Sequence, residues 1–208
     1  MEKIMGENLN MRIGRFLARH RKNGLVFRLM NWLFLLHKLH ENLDYDFFSN
    51  GEHFVLQTVQ KNSRIETVFD VGANVGEWSK IAAETFSQAR IYSFEIIPQT
   101  YERLLDNCVG HNNIKPFKTG LSDKDGECEA FFSPDKSDFA TCVRNLSETF
   151  HNFQPGRITV KTTTGDRFCS QNKIETIDYL KIDVEGVESQ VLKGFERMLR
   201  GADKDYSI

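Results

Sequence analysis

Cysteine is scarce and scattered in this 208-residue chain. Cys108, Cys128, Cys142 and Cys169 stand far apart, with no CxxC pair and no Cys/His spacing of the zinc type. That argues against a disulfide-stapled scaffold or a zinc site, and it predicts free thiols in a reducing compartment, the cytoplasm. A long apolar run is missing too. The most apolar stretch, Leu25–Leu39, is interrupted by Arg28, Asn31, His37 and Lys38, whereas a spanning helix needs about 20 mostly apolar residues. The basic beginning is not followed by a small-residue cleavage site, so the pattern is not that of a secretory leader. Internal repeats and low-complexity tracts are absent. A net charge of −2 gives no overall attraction to nucleic acid, and no nucleic-acid partner is expected.

What is present is an ordinary globular composition, 40% hydrophobic and 27% charged, with enough length for one domain and an appended segment. The charge is uneven. Residues 1–43 hold eight Lys/Arg against three acids, which leaves 19 basic and 26 acidic side chains for the rest. This asymmetry divides the chain into a basic, apolar helical extension over 1–48 and a domain over 49–208. Within the extension, residues 11–40 suit a helix packed on the domain or on a second copy of the chain. That packed helix is the favoured reading, and an amphipathic helix at an anionic membrane surface is the alternative.

Beyond a helix near Glu52–Gln60, strands and helices alternate. Strands are predicted at Thr67–Val71, Arg90–Phe94, Ile114–Lys118 and Ile177–Ile182, with further pieces at Cys128–Phe132 and Ile158–Thr163 flanking a polar loop. Helices are predicted over Glu77–Phe86, from Pro98 onward and over Glu188–Leu199. The second of these puts Tyr101, Leu104, Leu105, Cys108 and Val109 on one face. The third puts Val191, Leu192, Phe195, Met198 and Leu199 on one side, with Gly201 as its stop. Asp205–Ile208 reads as the start of another strand. Such alternation implies a mostly parallel sheet with helices on both faces.

Three motifs carry chemistry. The first is Val68–Gly76, a strand running into a glycine-rich turn and then a helix. Its spacing is GxxxG, not the GxGxxG that seats a pyrophosphate on a helix terminus. Asp70 just before the turn suits a cationic group and repels a diphosphate; an ordinary capping role is the alternative. The second is Glu95, about 20 residues on at the end of the next strand, where a carboxylate can accept both hydroxyls of a ribose. The third is Asp178–Glu188, which gathers Asp183, Glu185 and Glu188 at a later strand-to-helix junction on the same sheet edge. A carboxylate there can take a proton from a hydroxyl or hold a sugar, while Glu188 suits the start of its own helix. No further ligand group accompanies these acids, so no metal site is expected.

With these pieces in order, residues from about Gly51 to Ile208 resemble the FkbM family of methyltransferases. The likeness rests on VFDVGANVG (68–76), SFEIIPQTYERLLDN (93–107), TGLSDKDGE (119–127) and above all DYLKIDVEGVESQVLKGF (178–195). The last is quite specific to that family, and the first is shared with most class I methyltransferases. The resemblance implies a Rossmann-like three-layer α/β sandwich and an S-adenosylmethionine pocket made by Asp70, Gly72, Asn74 and Gly76. It places Glu95 on the ribose and Leu121 and Ser122 near the adenine. It further implies methyl transfer to a hydroxyl of a sugar, glycan or related metabolite, with Asp183 and Glu185 as the catalytic candidates.

Two departures accompany the resemblance. Where the family usually shows Thr-Leu-Asp before the later strand, this chain has Thr164-Gly165-Asp166. A complete class I methyltransferase continues through a fifth strand into an antiparallel pair, so an end at Ile208 leaves a sheet edge open and reads as a fragment. Two other functions compete. A non-catalytic methyltransferase-fold module would bind the cofactor without turnover. An NAD(P)-dependent oxidoreductase would need GxGxxG and a suitably placed Tyr-x-x-x-Lys, which the sequence does not supply.

Overall fold

The computed structural model describes residues 9–41, 47–48, 50–132, 140–142 and 156–201. The chain divides into two compact units, Met1–Val55 and Leu56–Ile208. The first contains α1 (Leu9–Arg19) and α2 (Gly24–His40), the latter capped by Asn23, whose side chain accepts the N–H groups of Leu25 and Val26. No described residue of either helix is buried. Among the described residues, no helix is long and apolar enough to cross a membrane.

After α3 (Glu52–Asn62), the second unit is built on a four-stranded parallel sheet. In chain order come β1 (Thr67–Val71), α4 (Glu77–Thr85), β2 (Arg90–Phe94), α5 (Pro98–Asn107) and β3 (Ile114–Phe117). β8 (Tyr179–Ile182) completes the sheet in the order β3-β2-β1-β8. β1 and β2 are buried on both faces, which is why they read as near-continuous apolar runs. Alternate residues of β1 serve different layers. Phe69 and Val71 enter an aromatic core with Tyr92, Phe94, Phe168 and Phe195, while Asp70 faces Ser79 of α4. Phe168 stands edge-on to Phe69, Phe94 and Phe117. Helices therefore cover both faces, the three-layer arrangement expected of a Rossmann-like α/β domain.

A second sheet, β4-β7-β5-β6, comprises β4 (Gly120–Leu121), β5 (Gly126–Phe132), β6 (Ala140–Thr141) and β7 (Gly156–Thr163). The expected strand pieces at Cys128–Phe132 and Ile158–Thr163 are the antiparallel pair β5–β7, with Ala130 opposite Ile158. Ala130, Val160 and Ile97 form a small core of their own. The polar loop between the strands lies largely outside the described residues, as does Asp205–Ile208.

Three expectations need correction. The face predicted on α5 is only partly buried: Leu104 is wholly enclosed and Cys108 nearly so, but Val109 is 79% exposed and Leu105 is also open. The helix stops at Asn107, so the 3.6-residue period does not continue to Val109. The single helix over Glu188–Leu199 is in fact α7 (Glu188–Gly194) and α8 (Glu196–Arg200), broken at Phe195. The break has a packing cause. A Cβ on Gly194 would strike the carbonyl of Ser122, so backbone lies against backbone there, and Phe195 turns inward over Gly165. Leu192 and Leu199, expected on the buried side, are exposed. Finally, α6 (Gly165–Asn172) was not anticipated. Thr164 caps it by accepting the N–H of Arg167 at 3.1 Å.

Candidate functional site

In the parallel sheet the chain moves from β1 outward through β2 to β3, then returns to the other side of β1 as β8. The order reverses between β1 and β8, and ligands of open α/β sheets bind beyond the strand ends at such a point. A cavity of about 910 Å³, counted out to its open mouth, lies there. Its walls come from the turn after β1, the end of β2, the segment Thr119–Ser122, the second sheet and the segment after β8.

The turn is held by its backbone. Gly72 and Ala73 donate to the carbonyl of Phe94 at 3.0 and 2.8 Å, and Gly72, Asn74 and Gly76 all have positive φ. At Gly72 that conformation coincides with a close approach: a Cβ would collide with the carbonyl oxygen of Asp183, so the segments just beyond β1 and β8 touch through this glycine. At Gly76 a Cβ would come within 2.5 Å of Leu104 Cδ1, which places this glycine against α5 and not in the cavity wall.

Glu95 is 7% exposed and lines the cavity. One carboxylate oxygen accepts the N–H of Asn74 at 3.0 Å and the other that of Ile97 at 2.8 Å. Burial holds the carboxyl above its ordinary range, against the lowering effect of these N–H donors. The backbone N–H of Ile96 also acts on the carboxylate, and of its roughly four lone-pair sites those left over remain for a hydroxyl. Asn74 lines the same wall, and its side-chain oxygen is buried with no hydrogen-bond partner. An orphaned acceptor of this kind is costly unless a ligand donor meets it. A glycine-walled crevice, a carboxylate with open lone pairs and an unpaired amide oxygen together fit the adenosine part of S-adenosylmethionine.

The opposite rim is acidic. Asp183 donates its backbone N–H to Val71 at 2.9 Å, while its side chain is 66% exposed. Glu185 adopts φ 52° and stands exposed beside it. Loss of hydration, then the charges of Asp183 and Glu188, raise the Glu185 carboxyl above its ordinary range. Glu188 is lowered, chiefly because it accepts the N–H of Gly186 at 2.9 Å, the helix-start role expected of it. Among the described residues, no three His, Cys, Asp or Glu side chains converge as they would around a metal ion.

The cavity thus brings together Gly72, Asn74, Glu95, Leu121, Ser122, Asp183 and Glu185, and leaves out Asp70 and Gly76. Asp70 is wholly buried. It accepts the hydroxyl of Ser79 at 2.6 Å, and its other oxygen lies 3.0 Å from the ammonium of Lys181, an ion-pair distance without an aligned hydrogen bond. Lys181 also donates to the carbonyl of Gly72 at 3.3 Å. Lys181 lies within the Asp178–Glu188 motif but has no role assigned from sequence. A single charge inside the otherwise apolar strand YLKI (179–182), beside β1, is the available signal.

The cavity also has residues that sequence reasoning did not assign to it: Thr119, Thr162, Gln190 and the thiols of Cys128 and Cys142. The two sulfurs are 3.0 Å apart and all four cysteines are free. The contact lowers Cys128 and raises Cys142, as when one thiol donates to the other.

Known proteins share this sequence pattern. The methyltransferase FkbM domain matches residues 70–207. The hexuronic acid methyltransferase AglP of Haloferax volcanii is 29% identical over 155 residues, covering 74% of this chain and 60% of that protein. The 2-O-methyltransferase NoeI of Sinorhizobium fredii is 26% identical over 143 residues, covering 64% of this chain and 58% of that one. The chain therefore spans about three-fifths of the length of these relatives. A crystal structure of an FkbM methyltransferase from Methylobacillus flagellatus KT aligns over 65% of this chain and 30% of its own, at 17% identity and a TM-score of 0.42.

Proposed function

The chain belongs to the FkbM family of methyltransferases, and from that premise we propose that it transfers a methyl group from S-adenosylmethionine to a hydroxyl of a sugar, glycan or related metabolite. The observation that carries this reading is the two-sided cavity. Its inner wall offers Glu95 and the unpaired oxygen of Asn74 to an adenosine, and its outer rim offers Asp183 and Glu185 to a polyol. A hexuronic acid methyltransferase and a 2-O-methyltransferase among the relatives support the same acceptor class.

When bound, S-adenosylmethionine supplies an electrophilic methyl group. The chain's own residues hold and align. Glu95 would hold the ribose hydroxyls, Asn74 would accept a donor from the cofactor, and Leu121 with Ser122 would border the adenine. Asp183 would bind an acceptor hydroxyl, and Glu185 would take the proton that this hydroxyl gives up when the methyl group passes from the sulfonium sulfur to its oxygen and the thioether S-adenosylhomocysteine leaves. A carboxyl held above its ordinary range is a better proton acceptor than a free one. Alignment of the two reacting groups supplies most of the rate.

The test is methyl transfer from labelled S-adenosylmethionine to a panel of uronic acids, hexoses and their glycans. Label transferred to a sugar oxygen, and lost with Glu185→Gln while cofactor binding persists, supports the reading. Cofactor binding without transfer to any hydroxyl acceptor would make the chain a binding module.

A further inference from the structure

From Leu9 to His40 the sequence contains seven Lys/Arg, three His and not one Asp or Glu. The two helices of this segment distribute those cations differently. On α1, Arg12, Arg15 and Arg19 fall within about 60° of the helix circumference. Leu9, Ile13, Phe16 and Leu17 form an apolar arc beside them. On α2, Arg28, Asn31 and Lys38 gather within about 80°, and most of the remaining circumference is apolar. Leu25 is 76% exposed, Phe34 68% and Trp32 56%. A helix apolar around most of its circumference requires an apolar medium. Yet α2, at 17 residues, is not long and apolar enough to cross a membrane.

We propose that α1 and α2 bind an anionic lipid surface, lying in its plane with the apolar arcs among the acyl chains and the arginines at the headgroups. Charge selects this occupant. A second copy of the segment would set seven cations against seven more with no carboxylate to separate them, whereas anionic headgroups complement every one. The Arg12–Arg15–Arg19 stripe borders the apolar arc instead of opposing it, as an interfacial helix needs. Trp32, with an apolar ring and one polar N–H, suits the headgroup boundary.

The test uses the full chain with two kinds of vesicle, phosphatidylcholine alone and phosphatidylcholine with one third phosphatidylglycerol. Binding by co-sedimentation is expected to be at least about tenfold tighter to the anionic vesicles and to weaken as salt screens it. Tryptophan emission should shift to the blue on binding. Because Trp78 is already buried in the second unit, Trp32→Phe should abolish the shift. The triple variant R12Q/R15Q/R19Q should lose about a hundredfold in affinity while its thermal unfolding stays unchanged. Equal binding to both vesicles, or full binding by the triple variant, would overturn the proposal. So would absence of binding, including the case in which the chain self-associates through these helices instead.

Discussion

Asp70 and Lys181 stand directly opposite each other on β1 and β8, with carboxylate and ammonium 3.0 Å apart on the α4 face of the sheet. The carboxylate is wholly enclosed and the lysine side chain 19% exposed. The cation that Asp70 meets therefore comes from the neighbouring strand, and the same ammonium reaches the Gly72 carbonyl at the start of the turn. The pair ties the cavity floor to the sheet.

Breaking that pair from one side leaves a buried charge without its partner. Lys181→Met is expected to cost about 3 kcal/mol, the lower end of the range for a buried pair because the ammonium keeps some contact with water. Adding Asp70→Asn should recover much of the loss. Urea unfolding of the two single variants and the double checks both statements.

The turn glycines should respond unequally to alanine. Gly72→Ala forces a side chain at φ +83° and sets its Cβ against the Asp183 carbonyl, a backbone atom that cannot step aside. Gly76→Ala carries the same strain, of order 1–3 kcal/mol, but meets the mobile end of Leu104. Thermal melts should show Gly72→Ala as the more damaging by a clear margin, with cofactor binding lost as well.

Gly165 marks the departure from the family's Thr-Leu-Asp pattern, and the structure gives it a physical partner. The ring of Phe195 occupies the space where a side chain would stand, and Asp166 caps the start of α8 by accepting the N–H groups of Arg197 and Met198 at 2.8 and 2.9 Å. Gly165→Leu alone should destabilise by about 1–3 kcal/mol through overpacking. Pairing it with Phe195→Ala should restore part of that, as a double-mutant cycle by thermal unfolding would measure.

Acidification should act on Glu95 in two opposite directions. Its folded carboxyl sits above the ordinary value of 4.5 because it is buried. The folded state therefore takes up a proton before the unfolded chain does. This group's contribution to stability is fully present below 4.5 and is lost as pH rises through the raised folded value. Ribose binding needs the ionised form, so cofactor affinity should fall as pH drops through that same raised value. Calorimetric titrations from neutral pH down to 4.5, beside melts over the same range, should show binding weakening while this site's contribution favours the fold. Affinity indifferent to pH in the wild type would contradict the role of Glu95.

Much of this was legible in the sequence because β1, β2 and the turn obey local rules. Short apolar runs announce strands, and the paired glycines at 72 and 76, which tolerate a positive φ, announce a turn. What escaped depends on contacts between distant segments. Nothing near Gly194 in sequence reveals that the Ser122 carbonyl rests on it, yet that contact accompanies the end of α7. The second sheet was half visible as β5 and β7, while the two-residue β4 is defined only by pairing Gly120 and Leu121 with Thr162 and Thr163. The buried role of Asp70 was hidden for the same reason, since its partner lies 111 positions away and becomes adjacent only through the β1–β8 register.

The central claim is that the cavity at the β1–β8 switch binds S-adenosylmethionine through Glu95. Isothermal calorimetry of S-adenosylmethionine and S-adenosylhomocysteine with the folded wild type and with Glu95→Gln tests it most directly. Saturable binding to the wild type, weakened at least tenfold or about 1.4 kcal/mol by the substitution, is the predicted result. Folded protein that binds neither ligand, or a variant that binds both as tightly as the wild type, would contradict it.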